Sequence, residues 1–78
     1  MWVWTLEQFE KSSGRLVRRL RIDSLADDDV LNLIDADELG VADLFDVPSR
    51  SLDELSRRTG FDLDQDLYYY LLGREGIA

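Results

Sequence analysis

The chain has 78 residues, of which 45% are hydrophobic and 33% charged, and it contains no cysteine and no histidine. This composition is typical of a globular protein too short for two ordinary domains, so we expect a single domain over residues 1–78 with a small core. The missing side chains exclude a histidine-dependent nucleophile, a zinc site of the usual ligands and a disulfide-stapled core. With 9 basic and 17 acidic residues the net charge is −8, which opposes contact with nucleic acid or an anionic membrane and favours a basic protein partner.

The hydrophobic pattern indicates neither a membrane span nor a secretory signal. Its apolar runs are shorter than the roughly 18 to 20 residues that cross a bilayer. Residues 1–10 lack the basic start and long apolar stretch of a signal peptide. We therefore expect a soluble, cytoplasmic protein.

The first 22 residues predict a β-hairpin. Aromatic and β-branched residues favour a strand over Trp2–Glu10, and even-spaced leucine and isoleucine favour a second strand over residues 15–22. Residues 11–14 predict the turn between them, with Gly14 able to take a positive φ. A four-residue loop would pair Phe9 with Leu16, and this register sets the two faces of the hairpin.

The predicted register separates an apolar face from an aromatic and basic face. It also places Glu7 opposite Arg18. The basic face is a candidate nucleic-acid surface, although the acidity of the remaining chain opposes that function. The apolar face would carry Val3, Phe9, Leu16, Leu20 and Ile22, and the other face Trp2, Trp4 and Leu6 beside Arg19 and Arg21.

A helix and a short strand are predicted in the middle of the chain. Ser24 is a good N-cap for a helix that ends before Gly40. Residues 41–47 predict a short strand, which Pro48 would stop.

A second helix and an ambiguous segment complete the chain. Ser51 followed by Glu54 three residues later is typical of a capping box, and we expect the helix from Leu52 to end at Gly60. Residues 61–72 fit either a strand or a helix, and their three consecutive tyrosines lead us to favour the strand.

The excess of acid is concentrated between residues 23 and 47, which contain nine acidic residues and no basic one. Such a run is commonly a solvated face, and the functional alternative is a surface for a basic partner, whose encounter complementary charge would accelerate. We predict the partner-binding residues to be Asp27, Asp28, Asp29, Asp35, Asp37, Glu38, Asp43 and Asp46, with Tyr68 and Tyr70 as aromatic contacts.

Metal binding and catalysis are the other chemistries that acidic residues could support. Asp62, Asp64 and Asp66 are similar to the start of an EF-hand loop, and a second partial match starts at Asp35. The first lacks the glycine and glutamate of such a loop, and Pro48 would break the helix after the second. Paired carboxylates can also perform acid–base hydrolysis, but so small a domain rarely encloses a pocket. We predict no metal, no cofactor and no enzymatic activity.

Three segments resemble the cloacin-type immunity proteins of bacteria. Residues 4–13, WTLEQFEKSS, resemble the first hairpin of that family, and residues 44–47, LFDV, are similar to its Cys-Phe-Asp-Val strand. Residues 62–70, DLDQDLYYY, resemble its closing aromatic strand, and the order also resembles a group of small acidic bacterial proteins of unassigned function. Glu10 stands in place of the family's Asp, the middle strand lacks its cysteine, and residues 24–43 align poorly.

We predict an α+β fold with a three- or four-stranded antiparallel sheet, an N-terminal hairpin and two short helices on one side. The resemblance implies an immunity protein that binds a cognate basic toxin of the nuclease class and occludes its substrate-binding surface. We expect no direct contact with nucleic acid or membrane, and a monomer or weak dimer when free. The alternative is a self-associating structural module without a toxin partner.

Overall fold

The computed structural model, which describes residues 2–39 and 44–76, contains a four-stranded antiparallel sheet and two helices. This confirms the α+β fold with an N-terminal hairpin, and the last segment is a strand. The elements in chain order are β1 (Trp2–Glu10), β2 (Leu16–Ile22), α1 (Asp27–Ile34), β3 (Leu44–Asp46), a short 3-10 helix (Ser49–Ser51), α2 (Leu52–Thr59) and β4 (Tyr68–Gly76).

The sheet has the strand order β2-β1-β4-β3, so the two long strands β1 and β4 lie in its centre. All neighbouring strands are antiparallel. The turn between β1 and β2 contains Gly14 at a φ of 71°, as predicted. Hence the hairpin forms one half of the sheet, and the C-terminal strand joins it to the short β3.

A β-bulge in the hairpin overturns the predicted register beyond Phe9. Phe9 pairs with Leu16 as predicted, but Gln8 pairs with Arg18, which leaves Val17 as an extra residue. Glu7 therefore pairs with Arg19 and not with Arg18. Because side chains alternate along a strand, this shift of one residue moves the rest of β2 to the opposite faces.

The bulge also corrects the predicted faces. Trp4 pairs with Ile22 and Leu6 with Leu20, so these four side chains share one face. Arg19 and Arg21 lie on the other face, away from the tryptophans. The predicted surface of combined tryptophan and arginine side chains, and with it the candidate nucleic-acid surface, is therefore not formed.

Both helices cover the face that carries Trp4 and Leu6. The two helices contribute apolar residues at helical spacing, and β1, β2 and β4 contribute alternate residues. Tyr70 and Leu72 of β4 are 2% and 0% exposed. The buried core comprises Trp4, Leu6, Ile22, Leu25, Val30, Leu33, Leu52, Leu55, Tyr70 and Leu72.

Helix α1 is shorter at both ends than predicted. It begins after Ala26, and not after Ser24, because the carboxylate of Asp29 accepts a hydrogen bond of 3.0 Å from the Ala26 N–H. It ends at Asp35, well before Gly40, because Asp35 adopts the left-handed conformation with a φ of 58°.

Helix α2 has the predicted extent but lacks the predicted N-terminal cap. Ser51 does not cap it; its hydroxyl donates a 2.5 Å hydrogen bond to the carbonyl of Leu33 instead. Gly60, at a φ of 77°, ends the helix as predicted. Within residues 2–39 and 44–76, no helix is long and apolar enough to cross a membrane.

Candidate protein-interaction surface

Asp27 connects the start of α1 to the start of β1. Its Oδ1 accepts hydrogen bonds from Trp4 Nε1 at 2.9 Å and from Trp2 Nε1 at 3.3 Å. The guanidinium of Arg74 lies 4.8 Å from the centre of the Trp2 ring, which is cation–π distance. Asp27 was predicted as a partner contact, and the structure gives it an internal role in orienting both indoles.

Two more of the predicted acidic residues form ion pairs inside the chain. Asp29, which caps α1, lies 3.2 Å from the Arg58 guanidinium at the end of α2. Asp35 lies 3.2 Å from the guanidinium of Arg50. Asp35 and Arg50 are both well exposed, so this pair leaves the Asp35 carboxylate accessible to a partner.

Four predicted acidic residues remain exposed and free of hydrogen bonds and ion pairs in the part of the chain that the structure describes. They differ in position: one is in the first turn of α1, two follow α1 and one is at the end of β3. The predicted Asp43 lies outside the described residues. The four free carboxylates belong to Asp28, Asp37, Glu38 and Asp46.

The antiparallel arrangement of the helices concentrates acid at one end of the helix layer. Arg58 of α2 meets Asp29 at the start of α1, and Ser51 before α2 meets Leu33 near the end of α1. The segment after α1 therefore lies beside the first turn of α2, where Asp53 is exposed. We name this group the acidic end: Asp35, Asp37, Glu38 and Asp53.

The two predicted aromatic contacts lie in different environments. Tyr70 is 2% exposed, and its hydroxyl oxygen accepts a 2.9 Å hydrogen bond from the N–H of Asp64. Its ring belongs to the core and cannot reach a partner while the domain is folded. Tyr68 is half-buried at the start of β4 and keeps part of its ring accessible.

The basic side chains are largely engaged within the chain. Arginine can hold several acceptors at once because its guanidinium has five N–H donors. Most basic groups therefore make contacts within the chain, although the side chains of Arg19, Arg21 and Arg50 remain more than half exposed. The contacts are Lys11 to the Gln65 carbonyl, Arg18 to Gln8, Arg19 to Glu7, Arg21 to Asp23, Arg50 to Asp35, and Arg58 to Asp29 and Glu54.

The EF-hand-like segment forms a local turn. Asp64 Oδ1 accepts a 2.9 Å hydrogen bond from the N–H of Asp66, and both residues are exposed. Among the described residues, no three acidic side chains are close enough to hold a metal ion. The carboxylates of this segment act in the structure as turn residues.

The sheet face opposite the helices is a feature that sequence reasoning did not find. We call it the open face: the side chains of residues 3, 5, 7 and 9 of β1, those of their paired partners on β2 and β4, and residues 44 and 46 of β3. The helices lie on the other side. The bulge at Val17 concealed this face, because the uncorrected register groups Arg19 and Arg21 with the tryptophans.

The open face carries an aromatic pair and, beside it, an ion pair. The rings of Phe9 and Tyr69 stack with centroids 5.1 Å apart and planes 6° from parallel. Next to them, Arg19 and Glu7 form an ion pair of 2.7 Å. A depression of about 230 Å³ lies beyond this pair, at Gly73, which has no side chain to fill it.

Comparison with known families places these surfaces within one domain. A model of DUF7683, a domain of unknown function, matches residues 3–73. The chain belongs to the DUF7683 family. The match spans β1 to most of β4, so the acidic end and all of the open face except Glu75 lie within the DUF7683 domain. Neither the comparison with curated proteins nor that with solved structures found a match.

Proposed function

We propose that this protein is an immunity protein that binds a basic toxin domain of the nuclease class and blocks its substrate-binding surface. It acts by binding alone, without catalysis and without a cofactor. The proposed site of action is the cytoplasm, because that is where a nuclease toxin meets its nucleic-acid substrate. The resemblance of three segments to the cloacin-type immunity proteins supports this proposal.

The observation that carries the proposal is the surplus of exposed carboxylates that have no basic partner among the described residues. Most basic side chains bind acceptors of the chain itself, whereas Asp28, Asp37 and Glu38 make no such contact with any residue that the structure describes. A net charge of −8 is thereby presented mainly as exposed carboxylates. Nuclease domains are basic where they bind phosphates, and carboxylates can occupy the same positions.

The acidic end is the part of this surface best suited to a partner. Asp35 ends α1, Asp37 and Glu38 follow it, and Asp53 lies in the first turn of α2, while the hydrogen bond from Ser51 to the Leu33 carbonyl joins the two segments. Complementary charge of this kind raises association rates by about 10- to 1,000-fold and is screened by salt over about 8 Å at physiological ionic strength. We therefore expect salt to slow binding strongly.

Affinity capture with a matched pair of variants tests the proposal. The double variant Asp37→Lys and Glu38→Lys reverses two charges at the acidic end. The control, Asp62→Lys and Asp66→Lys, makes the same change in the exposed loop before β4. We expect the wild-type chain and the control to capture the same basic polypeptide from a lysate of the native host, and the acidic-end variant to associate with it at least tenfold more slowly at low salt.

Growth protection then tests neutralisation separately from binding. Cells that express the captured polypeptide should stop growing, and co-expression of the wild-type chain should restore growth. If the polypeptide is harmless, or if the acidic-end variant associates as fast as the control, the proposal is wrong.

A further inference from the structure

The open face has opposite charges along its two sides. On β2, Arg19 and Arg21 are exposed, with 53% and 58% of their side-chain surface accessible. On the β4–β3 side, Asp46 and Glu75 are exposed. Between them, the Glu7 charge is compensated by Arg19. A half-turn would set Arg19 opposite Asp46 and Glu75 over Val3, so one charged row of the face is complementary to itself.

We propose that the open face binds the open face of a second copy of this chain. The two-fold axis lies parallel to the strands, between the central strands β1 and β4. This rotation places β2 of one copy over β3 of the other and preserves the position along the strands. Arg19 then faces Asp46 of the second copy, because both pair into the same row of the sheet through Glu7 and Leu71.

The same rotation matches the apolar parts of the face. Phe9 on β1 lies over Tyr69 of the second copy, so two stacked aromatic pairs meet across the interface. Arg21 lies over Leu44, and the arginine stem can pack on that exposed side chain.

The charge pattern excludes the other face-to-face arrangement. An axis perpendicular to the strands would place β2 over β2 and β3 over β3. Arginines would then face arginines and Asp46 would face the acidic side of the second copy, which is destabilising. The proposed dimer is therefore of one orientation.

The open face has the area of a weak dimer interface. Its strands of 7, 9, 9 and 3 residues, at about 3.4 Å per residue and about 4.8 Å per strand, cover about 450 Å² in each copy. The two copies together bury at most about 900 Å², which lies in the range of weak, transient interfaces, and sheets stack at about 10 Å. A weak dimer with a dissociation constant in the micromolar range is expected.

The net charge of −8 does not prevent this contact. The acidic end lies in the helix layer, on the other side of the sheet from the interface. A sheet and a helix layer place it about 10 Å or more from the interface, which exceeds the screening length of about 8 Å at 0.15 M salt. The proposal is independent of the proposed function, because it leaves the acidic end in solvent.

Sedimentation equilibrium of the full chain, from about 1 µM to about 1 mM at about 0.15 M salt, tests the proposal. We expect the average mass to rise with concentration from 9.0 kDa towards twice that value. A single species of monomer mass over the whole range would overturn the proposal.

A pair of charge reversals tests the face and the orientation. Asp46→Arg should raise the dissociation constant at least tenfold, because it sets arginine against Arg19 in two symmetric places. Asp62→Arg changes the net charge equally in an exposed loop and should leave the dissociation constant within twofold. Neither carboxylate has a hydrogen bond or ion pair within residues 2–39 and 44–76, so both variants should fold, which circular dichroism can verify. Equal dissociation constants for the two variants would overturn the proposed arrangement.

Discussion

The hydrogen bonds that Asp27 accepts from two indoles should make it the most important acidic residue for stability. Asp27→Ala removes the only hydrogen-bond acceptor of Trp4 Nε1 seen among the described residues, and Trp4 is 2% exposed. A hydrogen bond to a charged group contributes about 1.5–3 kcal/mol, and the negative charge in the first turn of α1 adds about 0.3–1 kcal/mol. The longer bond from Trp2, which is exposed, adds little. We expect a loss of about 2–3 kcal/mol in the free energy of unfolding.

This loss is large for a domain of 78 residues, whose total stability is on the order of 4–12 kcal/mol. Each kcal/mol shifts the melting temperature of such a domain by about 4–8 °C, so Asp27→Ala should melt about 8–24 °C below the wild-type chain. Asp27→Asn keeps the acceptor oxygen and loses only the charge, and we expect about half that shift. Far-UV circular dichroism measures the melting temperature directly.

Asp28→Ala is the matched control for this prediction. Asp28 occupies the same turn of α1 but is exposed and has no hydrogen-bond partner among the described residues. Its removal should cost about 0.3–1 kcal/mol, the contribution of the helix dipole alone. Tryptophan fluorescence gives a second signal, because both tryptophans of the chain bond to Asp27. Equal melting temperatures and equal emission spectra for the two alanine variants would refute the structural role of Asp27.

Two further substitutions test the connections between elements. Ser51→Ala should lower the free energy of unfolding by about 1–3 kcal/mol because it leaves the Leu33 carbonyl without its buried donor; if urea denaturation shows no loss, that hydrogen bond does not stabilise the fold. Gly14→Val should lower the free energy of unfolding by about 1–2 kcal/mol because of the φ of 71° alone, since a Cβ at this position would meet no atom within 4 Å. Gly14→Asn should lower it less, because asparagine tolerates this conformation. Equal melting temperatures for the two variants would contradict this explanation.

The order of elements was predictable because each has a strong local signal. The alternation and aromatic content of β1, the positive-φ glycine of the turn and Gly60 after α2 act through neighbouring residues only. The C-terminal strand was ambiguous because its apolar residues fit both periods. Pairing with β1 along its whole length made it a strand, and that contact is distant in sequence.

The sequence could not show which residues share each face of the sheet, because the bulge at Val17 is determined by tertiary packing. A regular register would have placed Leu20 and Ile22 away from Trp4, and burying them together under the helices stabilises the bulged alternative. Tertiary contacts also replaced the predicted helix caps. Ser51 donates to the Leu33 carbonyl, so α2 begins without the capping box that its sequence favours.

Some of the predicted partner contacts were wrong for a related reason. Sequence reasoning grouped acidic residues by their position in the chain, but their surroundings differ. Asp27 accepts hydrogen bonds from the buried Trp4 and the exposed Trp2, Asp29 caps its own helix, and Asp37 is exposed to solvent. Tyr70 could not be separated from Tyr68 by residue type, because only the alternation of β4 against a known core face shows which ring is buried.

The two proposed surfaces lie on opposite sides of the sheet, which makes their functions separable. Asp46 was predicted as a partner contact, but it lies on the open face and is not part of the acidic end. Asp46→Arg should therefore weaken self-association and leave the rate of toxin association within twofold, apart from a small effect of net charge. The acidic-end variant Asp37→Lys and Glu38→Lys should do the reverse. If both proposals hold, a dimer presents two acidic ends in solvent and binds two toxin domains. Should either variant impair both activities equally, the surfaces are not independent, and at least one of the two assignments must be revised.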